Sequence, residues 1–131
     1  MLCIDDNPQV LQLRKATLMS LGYHVQIASG GYAAMRLLKK TPVAAVLLDY
    51  KLEGMDAEAV AAHIKQKFPN LPIILLSAFS EIPERVLWLV DEYVMKSELP
   101  ERLLVIIERA TRSRTLATPS EDQRQRSGAA A

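Results

Sequence analysis

Five polar side chains stand where short apolar runs give out: Asp5 and Asp6, Asp49, Ser77 and Lys96. The acidic pair follows the run 2–4, Asp49 closes 45–48, Ser77 closes 72–76 and Lys96 closes 93–95. If those runs are parallel strands, all five side chains lie on one carboxyl edge, where open α/β sheets bind ligands. Three carboxylates gathered there repel one another. At an effective dielectric near 20, each pair of unit charges about 4 Å apart costs on the order of 4 kcal/mol. A cation is therefore expected among them. Oxygen ligands without an enclosing cage suit Mg²⁺, which keeps several waters and accepts a phosphoryl oxygen as a ligand. Lys96 and Ser77 then supply a positive charge and a hydroxyl donor facing a tetrahedral anion near Asp49. Phosphoryl transfer asks for this set, with Asp49 as the carboxylate nucleophile. Taken singly, an Asp after a strand is usually a helix cap, a Lys is usually solvated and a Ser is a turn residue. Five such residues at the ends of four strands outweigh that account.

The elements that position them follow from patterning. Apolar runs occur at 2–4, 24–27, 45–48, 72–76 and 93–95, and their continuity suits parallel strands covered on both faces. Segments with helical spacing lie between them. Asn7-Pro8 reads as an N-cap and a first-turn proline, with Val10, Leu13, Thr17, Leu18 and Leu21 as the inward face and Gly22 as the stop. A second helix is expected over 32–40, packing Ala34 and Leu38, and a third from Asp56, packing Val60, Ile64 and Phe68 before Pro69. A short fourth spans 81–90, with Pro83 in its first turn. The fifth starts at Ser97 and packs Leu99, Leu103, Ile106, Ile107 and Ala110. Five repeats of strand then helix predict an α/β fold with right-handed crossovers.

The bulk numbers agree with one domain. The chain has 131 residues, 50% apolar and 24% charged, with 5% aromatic, so aliphatic side chains must build the core. No apolar run reaches the roughly 18 residues of a membrane span, and no secretory pattern opens the chain, so a cytoplasmic protein is expected. Cys3, the one cysteine, has no disulfide partner within the chain and is read as a small core residue. The net charge of +1 makes no case for nucleic acid or an acidic membrane. Residues 112–131 carry four Arg against Glu121 and Asp122 and almost no large apolar side chains. They are expected to form a flexible tail or linker after a domain at 1–111.

At this point the text resembles a two-component response-regulator receiver domain over residues 1–111. The matching pieces are Cys3-Ile4-Asp5-Asp6-Asn7, Val46-Leu47-Leu48-Asp49-Tyr50, Ile74-Leu75-Leu76-Ser77-Ala78 and Tyr93-Val94-Met95-Lys96. Asp6 to Asp49 is 43 residues and Asp49 to Ser77 is 28, both within the family's range. The resemblance implies a flavodoxin-like, doubly wound five-stranded parallel sheet in order 2-1-3-4-5, with helices on both faces. It implies that Asp49 receives a phosphoryl group from a sensor histidine kinase or a histidine phosphotransfer protein. Asp6, Asp49 and the backbone carbonyl of Lys51 would hold Mg²⁺ directly, with Asp5 acting through water. Ser77 would close on the phosphoryl group, Lys96 would pair with it, and Tyr93 would swing inward to remodel the face of the fourth and fifth helices. Such a domain is a signalling receiver rather than an enzyme with a separate substrate. It is monomeric or weakly dimeric through that face.

The departures from the family pattern lie near the switching surface. Ser97 stands where the family usually has Pro, which changes the backbone exit that places Lys96. Ser77 to Lys96 is only 19 residues, so the fourth helix or its exit is trimmed. Leu52-Glu53 replaces the common Met-Pro, and Ala57 stands where Gly is common. Two rival readings share parts of this pattern. A phosphohydrolase of the haloacid dehalogenase type wants an acid two residues after its nucleophile, and Lys51 occupies that position. Against a receiver-like interaction module that works without phosphorylation stands the complete set of Asp5, Asp6, Asp49, Ser77 and Lys96, while Ser97 and the short fourth helix favour it. His63 reads as a surface histidine, and Gly30-Gly31 as a loop entering a helix.

Overall fold

In the computed structural model, which describes residues 1–50, 56–78 and 81–117 and the side chains as far as 112, strand and helix alternate along the chain. The elements are β1 (Leu2–Ile4), α1 (Pro8–Ser20), β2 (Gln26–Ala28), α2 (Gly31–Lys40), β3 (Val46–Asp49), α3 (Ala57–Lys67), β4 (Ile73–Ser77), α4 (Glu84–Leu87), β5 (Glu92–Met95) and α5 (Glu101–Ala117). The strands form one sheet in the order β2-β1-β3-β4-β5, and every pairing is parallel. This is the expected doubly wound arrangement. Asp49 pairs in register with Leu76, and Ser77 with Met95, so the polar strand ends fall on one edge.

Alternation along the strands divides the core into two layers. Leu2, Ile4, Val46, Leu48, Ile73 and Leu75 pack with Ala34, Leu38, Val60 and Ile64 of α2 and α3. Cys3, Leu47, Ile74, Leu76 and Val94 pack with Leu11 and Leu18 of α1 and Leu103, Ile106 and Ile107 of α5. Both layers are closed, which is why the central strands read as unbroken apolar runs. Removing one large aliphatic side chain of this kind from water stabilises the fold by about 1.5–3 kcal/mol.

Local chemistry sets the helix ends. The Asn7 side chain accepts from the amides of Gln9 and Val10 at 3.0 and 3.3 Å, with Pro8 in the first turn. Past the end of α1 the amides of Gly22 and Tyr23 bond back to Met19 and Leu18, and Gly22 takes a φ of +96° that favours glycine. Asp56 caps α3 through the amides of Glu58 and Ala59.

Several expectations need correction. The inward face of α1 runs through Leu11, Arg14 and Leu18, whereas Leu13 is 70% exposed and Leu21 also lies outside. The face is turned by about one residue because Arg14, polar in the text, points inward to a buried acid. The fourth helix is one turn, not the ten residues 81–90. Only Val86 of α4 is buried, and Asp91 is already engaged at the sheet edge. Its amide donates to the Ile73 carbonyl, and its carboxylate accepts from the Ile73 amide at 2.8 Å. The fifth helix begins at Glu101 rather than Ser97. Lys96–Glu98 form a 3₁₀ turn, Leu99 is extended before Pro100 as the proline ring requires, and the Leu99–Pro100 bond is cis. In keeping with the expectation that the first few residues after 111 could prolong the last helix, α5 continues to Ala117. Strand ends differ by one or two residues from the expected runs.

Candidate functional site

Among the described residues, the polar side chains that are buried are Asp5, Asp49 and Ser77, exposed by 3%, 3% and 1%. All three sit at the carboxyl edge. β1 ends at Ile4 and delivers Asp5 and Asp6 in the two residues before the α1 cap. β3 ends on Asp49, and β4 ends on Ser77. An open cleft of about 610 Å³ lies over this edge, lined by Asp5, Asp6, Asn7, Pro8, Val10, Asp49 and Lys96. Asp6 is half-buried at its mouth.

Lys96 reaches across the cleft, its Nζ 2.5 Å from Asp49 Oδ2, despite the serine that follows it. The turn after β5 supports that reach. The Glu98 carboxylate accepts the Met95 amide at 3.0 Å, and the Lys96 carbonyl accepts the Leu99 amide. Asp5 is held differently. Its Oδ1 accepts the Asn7 amide at 2.9 Å, and its Oδ2 lies 3.8 Å from Arg14 Nη1. Burial, and then a hydrogen bond with the Asp49 carboxyl, push the Asp5 carboxyl up from its ordinary 3.8 to about 6.

Two buried carboxyl groups pressed together mark a place where positive charge belongs. The donors are all oxygen, which fits Mg²⁺ rather than a soft metal. Among the described residues no three His, Cys, Asp or Glu side chains close into a metal cage. The backbone carbonyl of Lys51, expected among the ligands, lies outside the described residues. Tyr93 is half-buried on β5, its hydroxyl pushed up by burial and by the Glu98 carboxylate.

The structure therefore brings Asp5, Asp6, Asp49 and Lys96 to one cleft and buries Ser77 at the same edge. The residue missed from the sequence is Arg14. Its signal was an arginine at the inward spacing between Leu11 and Leu18, since a charge on a buried stripe requires a partner. His63 and Trp88 are exposed, Cys3 is buried in the core, and Gly30 precedes α2 in extended backbone.

Comparison with known proteins places these features in context. The family described as the response regulator receiver domain matches residues 1–108. The transcriptional regulatory protein GlrR of Escherichia coli (strain K12) is 35% identical over 86 residues, covering 66% of this chain and 19% of that protein. The probable transcriptional regulator ycf27 of Porphyra purpurea is 29% identical over 121 residues, 87% of this chain and 49% of that protein. The chain thus spans between about a fifth and a half of these two relatives. Among solved structures, the response regulator TrrA of Thermotoga maritima, crystallised in complex with Mg²⁺-BeF, is 31% identical. It superposes with a TM-score of 0.76 over 83% of this chain and 96% of its own. NtrX of Brucella abortus is 25% identical with a TM-score of 0.82, over 96% of this chain and 29% of that one. Among the described residues no helix is long and apolar enough to cross a membrane.

Proposed function

The chain belongs to the response regulator receiver-domain family, and on that footing we propose that Asp49 is its phosphoacceptor, loaded from the phosphohistidine of a sensor histidine kinase or a histidine phosphotransfer protein. The observation that carries this reading is Asp49 itself. It is a carboxylate 3% exposed at the end of a central strand, paired with Lys96 and pressed against Asp5. In the transfer, an Asp49 carboxylate oxygen bonds to phosphorus as the phosphorus–nitrogen bond breaks, and the imidazole leaves with the electron pair. Lys96 neutralises the growing negative charge on the phosphoryl oxygens, and the Ser77 hydroxyl donates to one of them.

Asp5, Asp6, Asp49 and the Lys51 carbonyl are the groups that would hold Mg²⁺, which when bound screens the phosphoryl oxygens from these carboxylates. Ser77 and Tyr93 form the switch, and their rearrangement alters the surface around α4, β5 and α5 that a downstream partner reads. In this reading the protein is a cytoplasmic signalling receiver, not an enzyme with a separate substrate. It is a monomer or a weak dimer through that surface. The alternative of a module that works without phosphorylation is not supported by the relatives named above.

The test is intact-mass spectrometry after incubation with acetyl phosphate and Mg²⁺. One hydroxylamine-labile phosphoryl adduct is expected, absent without Mg²⁺ and absent from Asp49→Asn. An adduct that persists in Asp49→Asn would move the nucleophile elsewhere. No adduct from acetyl phosphate or from a set of histidine kinases would remove phosphoacceptance altogether.

A further inference from the structure

Arg14 stands in the second turn of α1, its side chain only 14% exposed, with Nη1 3.8 Å from Asp5 Oδ2. It is not among the residues lining the cleft. It lies close enough to Cys3, on β1, for its charge to be felt by that buried thiol. The guanidinium meets Asp5 from α1, outside the set of residues that line the cleft. Asp5 is gripped from the protein side at both oxygens, by the Asn7 amide and by Arg14. An inward arginine on a packed helix face gives up hydration, and nothing in the packing of Leu11 or Leu18 calls for it.

Asp5, Asp6 and Asp49 bring three negative charges to the edge, and Lys96 and Arg14 bring two positive ones. Lys96 lies in the cleft beside Asp49, where the proposed phosphoryl group would attach. Arg14, on α1, faces Asp5, one of the two acids that Lys96 does not pair with directly.

We infer that Arg14 is a positioning residue for the cation site, orienting Asp5 and offsetting its charge so that the cleft binds Mg²⁺ weakly until a phosphoryl group adds negative charge. This deepens the receiver reading and rests on it. The site is tuned for a divalent ion that arrives with, or is retained by, the phosphodonor. A cleft at net −2, without Arg14, would hold the ion regardless of the donor.

The experiment titrates MgCl₂ into the full chain at pH 7.5 and constant ionic strength, following backbone amide shifts of Asp5, Asp6 and Asn7 by NMR. Arg14→Met, which removes the charge and keeps an apolar stem, is expected to bind Mg²⁺ about three- to tenfold more tightly. Arg14→Lys, which keeps the charge, should stay within about twofold of the unsubstituted chain. A residue that merely packs α1 would move these variants together, or not at all. Thermal melts check the fold, and Arg14→Gln replaces the Met variant if that one does not fold. Unchanged or weaker Mg²⁺ binding in the uncharged variants overturns the inference, as does equal tightening in Arg14→Lys. Absence of Mg²⁺ binding by the unsubstituted chain would instead overturn the metal-site reading beneath it.

Discussion

Replacing Asp5 by Asn should make the metal-free protein more stable, against the usual effect of changing a buried residue. Raising the Asp5 carboxyl from 3.8 to about 6 means that its charged form costs the fold about 3 kcal/mol. The sign follows from proton binding. Between pH of about 4 and 6 the folded chain holds a proton that the unfolded chain has released. Stability from this group therefore falls as pH rises through that window, and the cost is complete above about 7. Asn keeps the side-chain oxygen that accepts the Asn7 amide and carries no charge. The Arg14 ion pair is already contained in that figure, so the gain at pH 7.5 is set at about 2–3 kcal/mol. The assay is urea unfolding in EDTA at several pH values, with the midpoint of Asp5→Asn about 1 M higher at pH 7.5. The difference between the two proteins should shrink toward zero near pH 4. Because only the difference is read, carboxylates titrating elsewhere cancel. Saturating Mg²⁺ should narrow the gap, because the ion stabilises by mass action the protein that binds it better. A variant no more stable than the parent in EDTA at pH 7.5 would refute this reasoning. So would a difference that stays level down to pH 4.5.

Two other outcomes are expected. Lys96→Ala should still bind Mg²⁺, since the acids remain, but should lose the phosphorylation-dependent change in the Tyr93 ring resonances. Normal Tyr93 changes in that variant would take Lys96 out of the switch. Leu75→Ala, at a fully buried position in the layer shared with α2 and α3, should cost about 2–5 kcal/mol in urea unfolding. Asp49 phosphorylation would survive that change below the shifted midpoint.

The sheet was legible because its strands are covered on both faces. Continuous apolar runs such as Ile73–Leu76 have no other use in a chain this small, and the polar residues closing them mark the working edge. The helices were less legible wherever a distant partner decides the outcome. Arg14 looks solvent-facing until Asp5, nine residues earlier, is seen folded back beneath it. Leu13 and Leu21 looked like core for the same reason, since hydropathy alone cannot rotate α1 to bury an ion pair. The text of 81–90 has apolar residues at helical spacing, yet Asp91 must reach Ile73 at the edge of β4, and that requirement ends α4 early. The start of α5 was displaced likewise, by Glu98 turning back to the Met95 amide and by Pro100.

The single turn of α4 has a thermodynamic consequence. Helix nucleation is unfavourable and is repaid only by propagation, which four residues do not provide. The turn stands on what surrounds it: the burial of Val86, and the Arg85 Nε hydrogen bonds to both Glu58 oxygens at 3.0 and 3.1 Å. Its amide protons should therefore exchange with solvent through local opening, well below the global unfolding energy and independently of the sheet. Trp88, 77% exposed at the end of that turn, would then be presented on a segment that opens locally. Any protein closing over the tryptophan would first have to supply the order that a longer helix carries with it. Recognition there would bring a large loss of conformational entropy and a modest affinity for the area covered.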